Sequence, residues 1–105
     1  MAYTEVSFEE ASAFVDLANI AKLTEMTSLK GGWANSNYLV TLEDDTELVL
    51  KVWDERPPDE VENIIEQSCW LEKHGIPTPN ALVLKNGKRI LVKNGQAWML
   101  MPFVS

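Results

Sequence analysis

The stretch Gly31–Val40, GGWANSNYLV, places two glycines and an Asn-Ser-Asn cluster immediately before an apolar segment. The next apolar segment, Leu48–Trp53 (LVLKVW), carries Lys51 between Leu50 and Val52. Both segments are rich in Val, Leu, Tyr and Trp, which favours β-strands, and the acidic EDD between them is typical of a hairpin tip. The stretch therefore predicts a glycine loop that leads into a β-hairpin with one lysine in its second strand.

The polar residues of this hairpin suggest a binding site for an anion. Gly31 and Gly32 allow the backbone to approach a ligand closely or to adopt conformations that other residues avoid. A lysine that points into a cleft, as Lys51 would, needs a carboxylate or a phosphate as partner. The alternative is an ordinary turn and a solvated strand lysine, because short glycine motifs often occur by chance. Side-chain and backbone donors are supplied by three further residues: Asn35, Ser36 and Asn37.

Amphipathic helices are predicted on both sides of the hairpin. The first runs from about Ser7 to Leu17 and begins with a capping box of Ser7 and Glu10. Its apolar stripe is Phe8, Ala11 and Val15, widened by Phe14 and Leu17. The second begins with Asp59 as its cap and ends at Gly75. Its stripe is Val61, Ile64, Ile65, Ser68, Cys69 and Leu71.

Three short apolar runs follow, NALVLK, RILVK and QAWMLMPF, separated by Asn86-Gly87 and Asn94-Gly95. Asn-Gly is a strong signal for a tight hairpin, because both central residues of that turn need positive φ. The order of elements is then helix, three strands, helix and two or three strands. We expect an α+β fold with an antiparallel sheet of about five to six strands, an inserted helix and a leading N-terminal helix. Residues 1–105 are predicted to form one domain without an internal linker.

Composition limits the classes of function. The chain has 105 residues, 46% of them apolar, and a net charge of -7. The negative charge argues against nucleic acid as the main partner. With one cysteine, Cys69, and one histidine, His74, no structural zinc site is expected. No segment approaches the length of a membrane span and no signal peptide opens the chain, so a cytoplasmic protein is predicted.

The sequence resembles the N-terminal lobe of the aminoglycoside phosphotransferase and choline kinase superfamily. Members of this superfamily are small-molecule kinases with a protein-kinase-like fold. Within it, the pattern is most similar to the type II homoserine kinases. The matching segments are NSNY at 35–38, LEKHGIPTP at 71–79 and the run from Asn86-Gly87 to Pro102. The resemblance covers essentially the whole chain.

The resemblance implies an ATP site and assigns roles to matching residues. The loop Gly31–Tyr38 would cover the ATP phosphates, and Lys51 would contact the α- and β-phosphates. A helix glutamate would hold Lys51 in place: Glu66 by the homoserine kinase pattern, with Glu62 one turn earlier as competitor. The segment Met99–Val104, with Met101 and Phe103, would meet the adenine.

The resemblance also implies a missing part. The catalytic aspartate and the Mg²⁺ ligands belong to a C-terminal lobe, and no matching segment exists here, so no catalytic residue or metal ligand is assigned to this lobe. The fragment alone is expected to be inactive. The leading acceptor is homoserine, although choline, ethanolamine, a modified lysine or an antibiotic stay open. The alternative function is a stand-alone, non-enzymatic binding or regulatory module, and the surface left by the missing lobe could support a homodimer.

Overall fold

The computed structural model describes residues 5–29, 35–76 and 80–103. The elements are α1 (Phe8–Asp16), β1 (Leu23–Leu29), β2 (Asn35–Leu42), β3 (Glu47–Trp53), α2 (Pro58–Lys73), β4 (Leu91–Lys93) and β5 (Gln96–Pro102). The strands pair antiparallel in the order β1-β2-β3-β5-β4. The predicted α+β fold, with a leading helix and a helix inserted into an antiparallel sheet, is confirmed. It is consistent with a kinase-like N-lobe.

The pairing register divides the sheet into two faces, because successive side chains of a strand point to opposite sides. On the first face, Leu50 and Val52 of β3 pack with Phe14 and Val15 of α1 in the larger core cluster. The second face carries a smaller cluster in which Val61 of α2 packs with Ile90 of the segment before β4 and with residues of β5. We call these the α1 face and the α2 face.

Helix α1 begins as predicted. The Ser7 side chain accepts a hydrogen bond from the Glu10 N–H (3.1 Å), and the Glu10 carboxylate accepts one from the Ser7 N–H (3.2 Å). The buried stripe consists of Ala11, Phe14 and Val15. The prediction that Phe8 belongs to it is wrong, since Phe8 is 46% exposed at the first turn.

Helix α2 begins at a proline and ends before a glycine. The prediction that Asp59 caps it is wrong, because Pro57 occupies the cap position and Pro58 is the first helical residue. Proline suits this position since its φ is already helical and its missing N–H would have no partner there. At the other end Gly75 has φ +82°, and the Ile76 N–H donates to the Leu71 carbonyl (3.0 Å). This end confirms the predicted glycine cap. Of the predicted apolar stripe, Val61 is the buried member.

The predicted three-stranded meander contains two regular strands. Asn94 (φ 54°) and Gly95 (φ 76°) form the tight turn between β4 and β5, as predicted. At the earlier Asn-Gly pair only Gly87 (φ 80°) has positive φ, so a two-residue turn there is wrong. Leu84 and Lys88 instead close a three-residue loop, in which the Leu84 N–H donates to the Lys88 carbonyl (2.7 Å). This pattern is usual for a loop that ends on a left-handed glycine.

Candidate functional site

Lys51 lies at the middle of the sheet with polar and apolar neighbours on the same face. It pairs with Asn37 of β2 on one side and with Met99 of β5 on the other. Directly paired residues of antiparallel strands project to one face with their Cβ atoms about 4.5–5.5 Å apart. The three side chains therefore form a row on the α2 face, across the centre of the sheet.

Partial burial of the Lys51 ammonium lowers its pKa, since desolvation disfavours the charged form. Its Nζ lies 5.5 Å from the ring centroid of Trp53, and the Trp53 indole N–H donates to the sulfur of Met99 (3.1 Å). Among the described residues, no carboxylate forms an ion pair with Lys51. Lys51 is therefore a half-buried cation beside an aromatic ring, without an anionic partner in the described part of the chain. Such a cation is well suited to bind an anion.

Asn37 adds an amide with an unsatisfied oxygen to this row. Its side-chain oxygen is buried and accepts no hydrogen bond in the described part of the protein. A buried polar atom without a partner costs free energy unless a ligand or water supplies the missing bond. Rotation of the amide would turn its NH₂ group, a double donor, to the same place. The Asn37 amide and the Lys51 ammonium can therefore serve one ligand together.

The other predicted binding residues of β2 and the preceding loop are placed differently. Ser36 pairs with Val52, so its side chain lies on the α1 face, opposite to Lys51. There it is 4% exposed and its hydroxyl donates to Asp54 Oδ2 at 2.6 Å. Asn35 is the first residue of β2 and pairs with Trp53. The predicted ligands Gly31 and Gly32 lie outside the described residues.

Asp54 was missed in the sequence analysis. It directly follows β3 and accepts a second hydrogen bond, from the Gln96 side chain at 3.3 Å. The sequence signal that could have indicated it is a carboxylate just after one predicted hairpin strand and a serine in the polar cluster just before the other.

The helix glutamates lie on the outer side of α2. Glu62 and Glu66 are both exposed, and both line a groove of about 560 Å³ between α2 and the segment Gly87–Ile90. Lys88 and Arg89 line the same groove. The structure does not bring either glutamate into an ion pair with Lys51 among the described residues, so this pairing stays a prediction.

The two residues predicted near the adenine lie at the end of β5. Met101 is half-buried, pairs with Val49 and packs against the cluster on the α2 face. Phe103, which is 37% exposed, follows the strand, and its N–H donates to the Glu47 carbonyl at 3.4 Å. Met101 thus shares the face of Lys51, and Phe103 lies at the edge where β3 begins.

Residues 5–29, 35–76 and 80–103 contain neither grouped metal ligands nor a membrane-spanning helix. No three His, Cys, Asp or Glu side chains in these ranges are grouped so that they could hold a metal ion. None of the helices in these ranges is long and apolar enough to cross a membrane.

Comparison with known proteins adds a family. A model of the phosphotransferase enzyme family (APH) matches residues 25–105. The chain is 32% identical over 104 residues to a homoserine kinase of Zymomonas mobilis, covering 97% of this chain and 32% of the relative. It is 28% identical over 94 residues to a homoserine kinase of Methylobacillus flagellatus, covering 90% of this chain and 29% of the relative. The chain thus spans about a third of the length of these curated relatives.

Proposed function

The chain belongs to the phosphotransferase enzyme family, and on that basis we propose that it is the nucleotide-binding lobe of an ATP-dependent kinase that phosphorylates a hydroxyl group of a small molecule. Homoserine is the proposed acceptor, since the matched relatives are homoserine kinases. The observation that carries the proposal is the pair of Lys51 and Asn37 on one face of the sheet: a half-buried ammonium beside an amide whose oxygen is buried without a hydrogen bond.

The proposed contribution of the lobe is to position ATP and to neutralise its charge. Lys51 binds the α- and β-phosphates, and the Asn37 NH₂ group, turned to that side by rotation of the amide, donates to a phosphate oxygen beside it. Met101 and Phe103 flank the adenine at the end of β5. Fixed donors aimed at phosphate oxygens stabilise charge without reorganisation in the transition state. Activation of the acceptor hydroxyl and Mg²⁺ binding are not assigned to these residues, so the lobe alone is expected to be inactive.

The acceptor is tested with the full-length protein and Mg-ATP. ADP release is measured with homoserine, choline, ethanolamine and an aminoglycoside at matched concentrations. We expect the highest kcat/KM with homoserine. If ADP release depends on one of the other compounds and not on homoserine, the protein is still a phosphotransferase, but homoserine is not its acceptor.

We further propose that Glu66 holds Lys51 once nucleotide has bound. Substitution Glu66→Gln in the full-length protein is then expected to lower kcat/KM by about tenfold, since the lysine loses its orientation. The matched control is Glu62→Gln, four residues earlier on the same helix and also exposed, with an expected change below about threefold.

The outcome of this pair of variants identifies the helix glutamate. If Glu62→Gln has the larger effect, the pairing glutamate lies one turn earlier. If both variants match the wild-type protein, the two glutamates are surface charges of the groove beside α2.

A further inference from the structure

Asp54 connects the ends of three neighbouring strands at one end of the sheet. Its Oδ2 accepts from the hydroxyl of Ser36 at the start of β2, and its Oδ1 accepts from the side-chain amide of Gln96 at the start of β5. Asp54 itself directly follows β3, the strand between those two. One carboxylate therefore fixes the relative positions of β2, β3 and β5 where they begin or end.

The bond to Ser36 is the stronger of the two contacts. At 2.6 Å it has the length of a hydrogen bond from a hydroxyl to a charged carboxylate. Ser36 is 4% exposed, and a buried hydroxyl is costly unless it is hydrogen-bonded. Its side chain has no access to the α2 face, because β2 alternates and Asn37 already projects to that side.

We propose that Asp54 is a positioning residue for nucleotide binding, which acts through Ser36 and does not touch the ligand. Ser36 immediately precedes Asn37 on β2, so the anchor fixes the backbone that carries Asn37 beside Lys51. Within the Asn-Ser-Asn triplet, Asn37 thus faces the ligand and Ser36 fixes the position of β2. This inference rests on the proposed function, since it concerns the same phosphate site.

The test uses the full-length protein with Asp54→Ala, Ser36→Ala and the double variant. Each single variant is expected to raise the KM for ATP about tenfold, because the Asn37 amide is no longer held in place. The KM for the acceptor should stay within about twofold of wild type. Because Asp54 acts through Ser36, the KM for ATP of the double variant should equal that of the single variants. Independent residues would instead multiply their effects on this KM. Asp54→Asn, which keeps an acceptor for the Ser36 hydroxyl, should recover most of the lost affinity.

The matched control is Thr24→Val. Thr24 also makes a side-chain hydrogen bond between strands, to the Thr41 carbonyl at 2.9 Å, but on β1 at the edge of the sheet. This variant should leave the KM for ATP unchanged. A general loss of stability in the Asp54 or Ser36 variants would instead lower the apparent kcat and leave both KM values unchanged, because it reduces the fraction of folded protein.

Two results would overturn the inference, and they differ from each other. Wild-type affinity for ATP in Asp54→Ala, or multiplicative effects in the double variant, would remove the positioning role and leave the proposed function intact. A wild-type protein that does not bind Mg-ATP would remove the proposed function and the positioning role together.

Discussion

Replacing Lys51 with methionine is expected to lower the kcat/KM of the full-length protein by about 100-fold or more, since the ATP phosphates lose a fixed positive charge. Methionine keeps much of the aliphatic stem and removes only the ammonium group. The Asn37 amide and the aromatic face of Trp53 remain in place. The measurement is steady-state kinetics with ATP as the varied substrate, at saturating acceptor.

The fold should tolerate this substitution. Burial lowers the pKa of Lys51, so at any pH below that lowered pKa the folded state holds a partly desolvated ammonium, which reduces the free energy of unfolding. Removing the charge relieves that cost, and we expect the free energy of unfolding to change by no more than about 1 kcal/mol. The benefit of Lys51→Met over wild type should shrink as pH rises through the lowered pKa, because the wild-type lysine then loses its proton.

The control is Lys22→Met, at an exposed lysine before β1. This variant should retain wild-type activity and stability. If Lys51→Met lowers the denaturation midpoint substantially, Lys51 is a structural residue. If it keeps full activity, the anion-binding role is wrong.

Replacing Trp98 with alanine is expected to destabilise the chain by about 3–5 kcal/mol, the usual cost of truncating a large buried side chain. Trp98 is 2% exposed in the core between the sheet and α1. Its ring meets Phe14 edge to face, with centroids 5.7 Å apart, and the Lys93 Nζ lies 5.0 Å from the ring centroid. The substitution removes both contacts and leaves a cavity. Denaturant unfolding followed by circular dichroism measures the change.

The same substitution at Trp70 serves as control. Trp70 is 58% exposed on α2 and stacks on His74, with ring centroids 4.0 Å apart. An exposed aromatic pair contributes little, so Trp70→Ala should cost about 1 kcal/mol or less. Equal losses in the two variants would contradict the assignment of Trp98 to the core.

Features encoded by neighbouring residues were predictable from the sequence. The Ser7 and Glu10 capping box, the Gly75 helix end and the Asn94-Gly95 turn each depend on a few consecutive residues, and each is confirmed. The cap of α2 was predicted wrongly, because Asp59 is a good cap residue but the preceding prolines set the helix start two residues earlier. Local competition of this kind is hard to decide from residue preferences alone.

Features that depend on strand pairing were harder to predict from the sequence. Lys51 was singled out because it lies between apolar residues in the same hairpin as the glycine pair and the Asn-Ser-Asn cluster, and its binding role stays a prediction. The face of Ser36 and its partner Asp54 follow from the register between β2 and β3, which the sequence does not specify to a single residue. The relation of Glu66 to Lys51 depends on how α2 packs on the sheet, and sequence spacing within the helix carries no information on that packing.

The row of Asn37 and Lys51 on the α2 face is the proposed binding site for the ATP phosphates. The most direct test is titration of the isotope-labelled chain with Mg-ATP, followed by its amide chemical shifts. We predict weak binding, with a Kd on the order of millimolar or weaker because this lobe supplies only part of the contacts. The largest shifts should fall at Asn37, Lys51 and Met99–Phe103 and should be lost in Lys51→Met. Shifts concentrated in the groove between α2 and Gly87–Ile90, or shifts that persist in Lys51→Met, would contradict the claim.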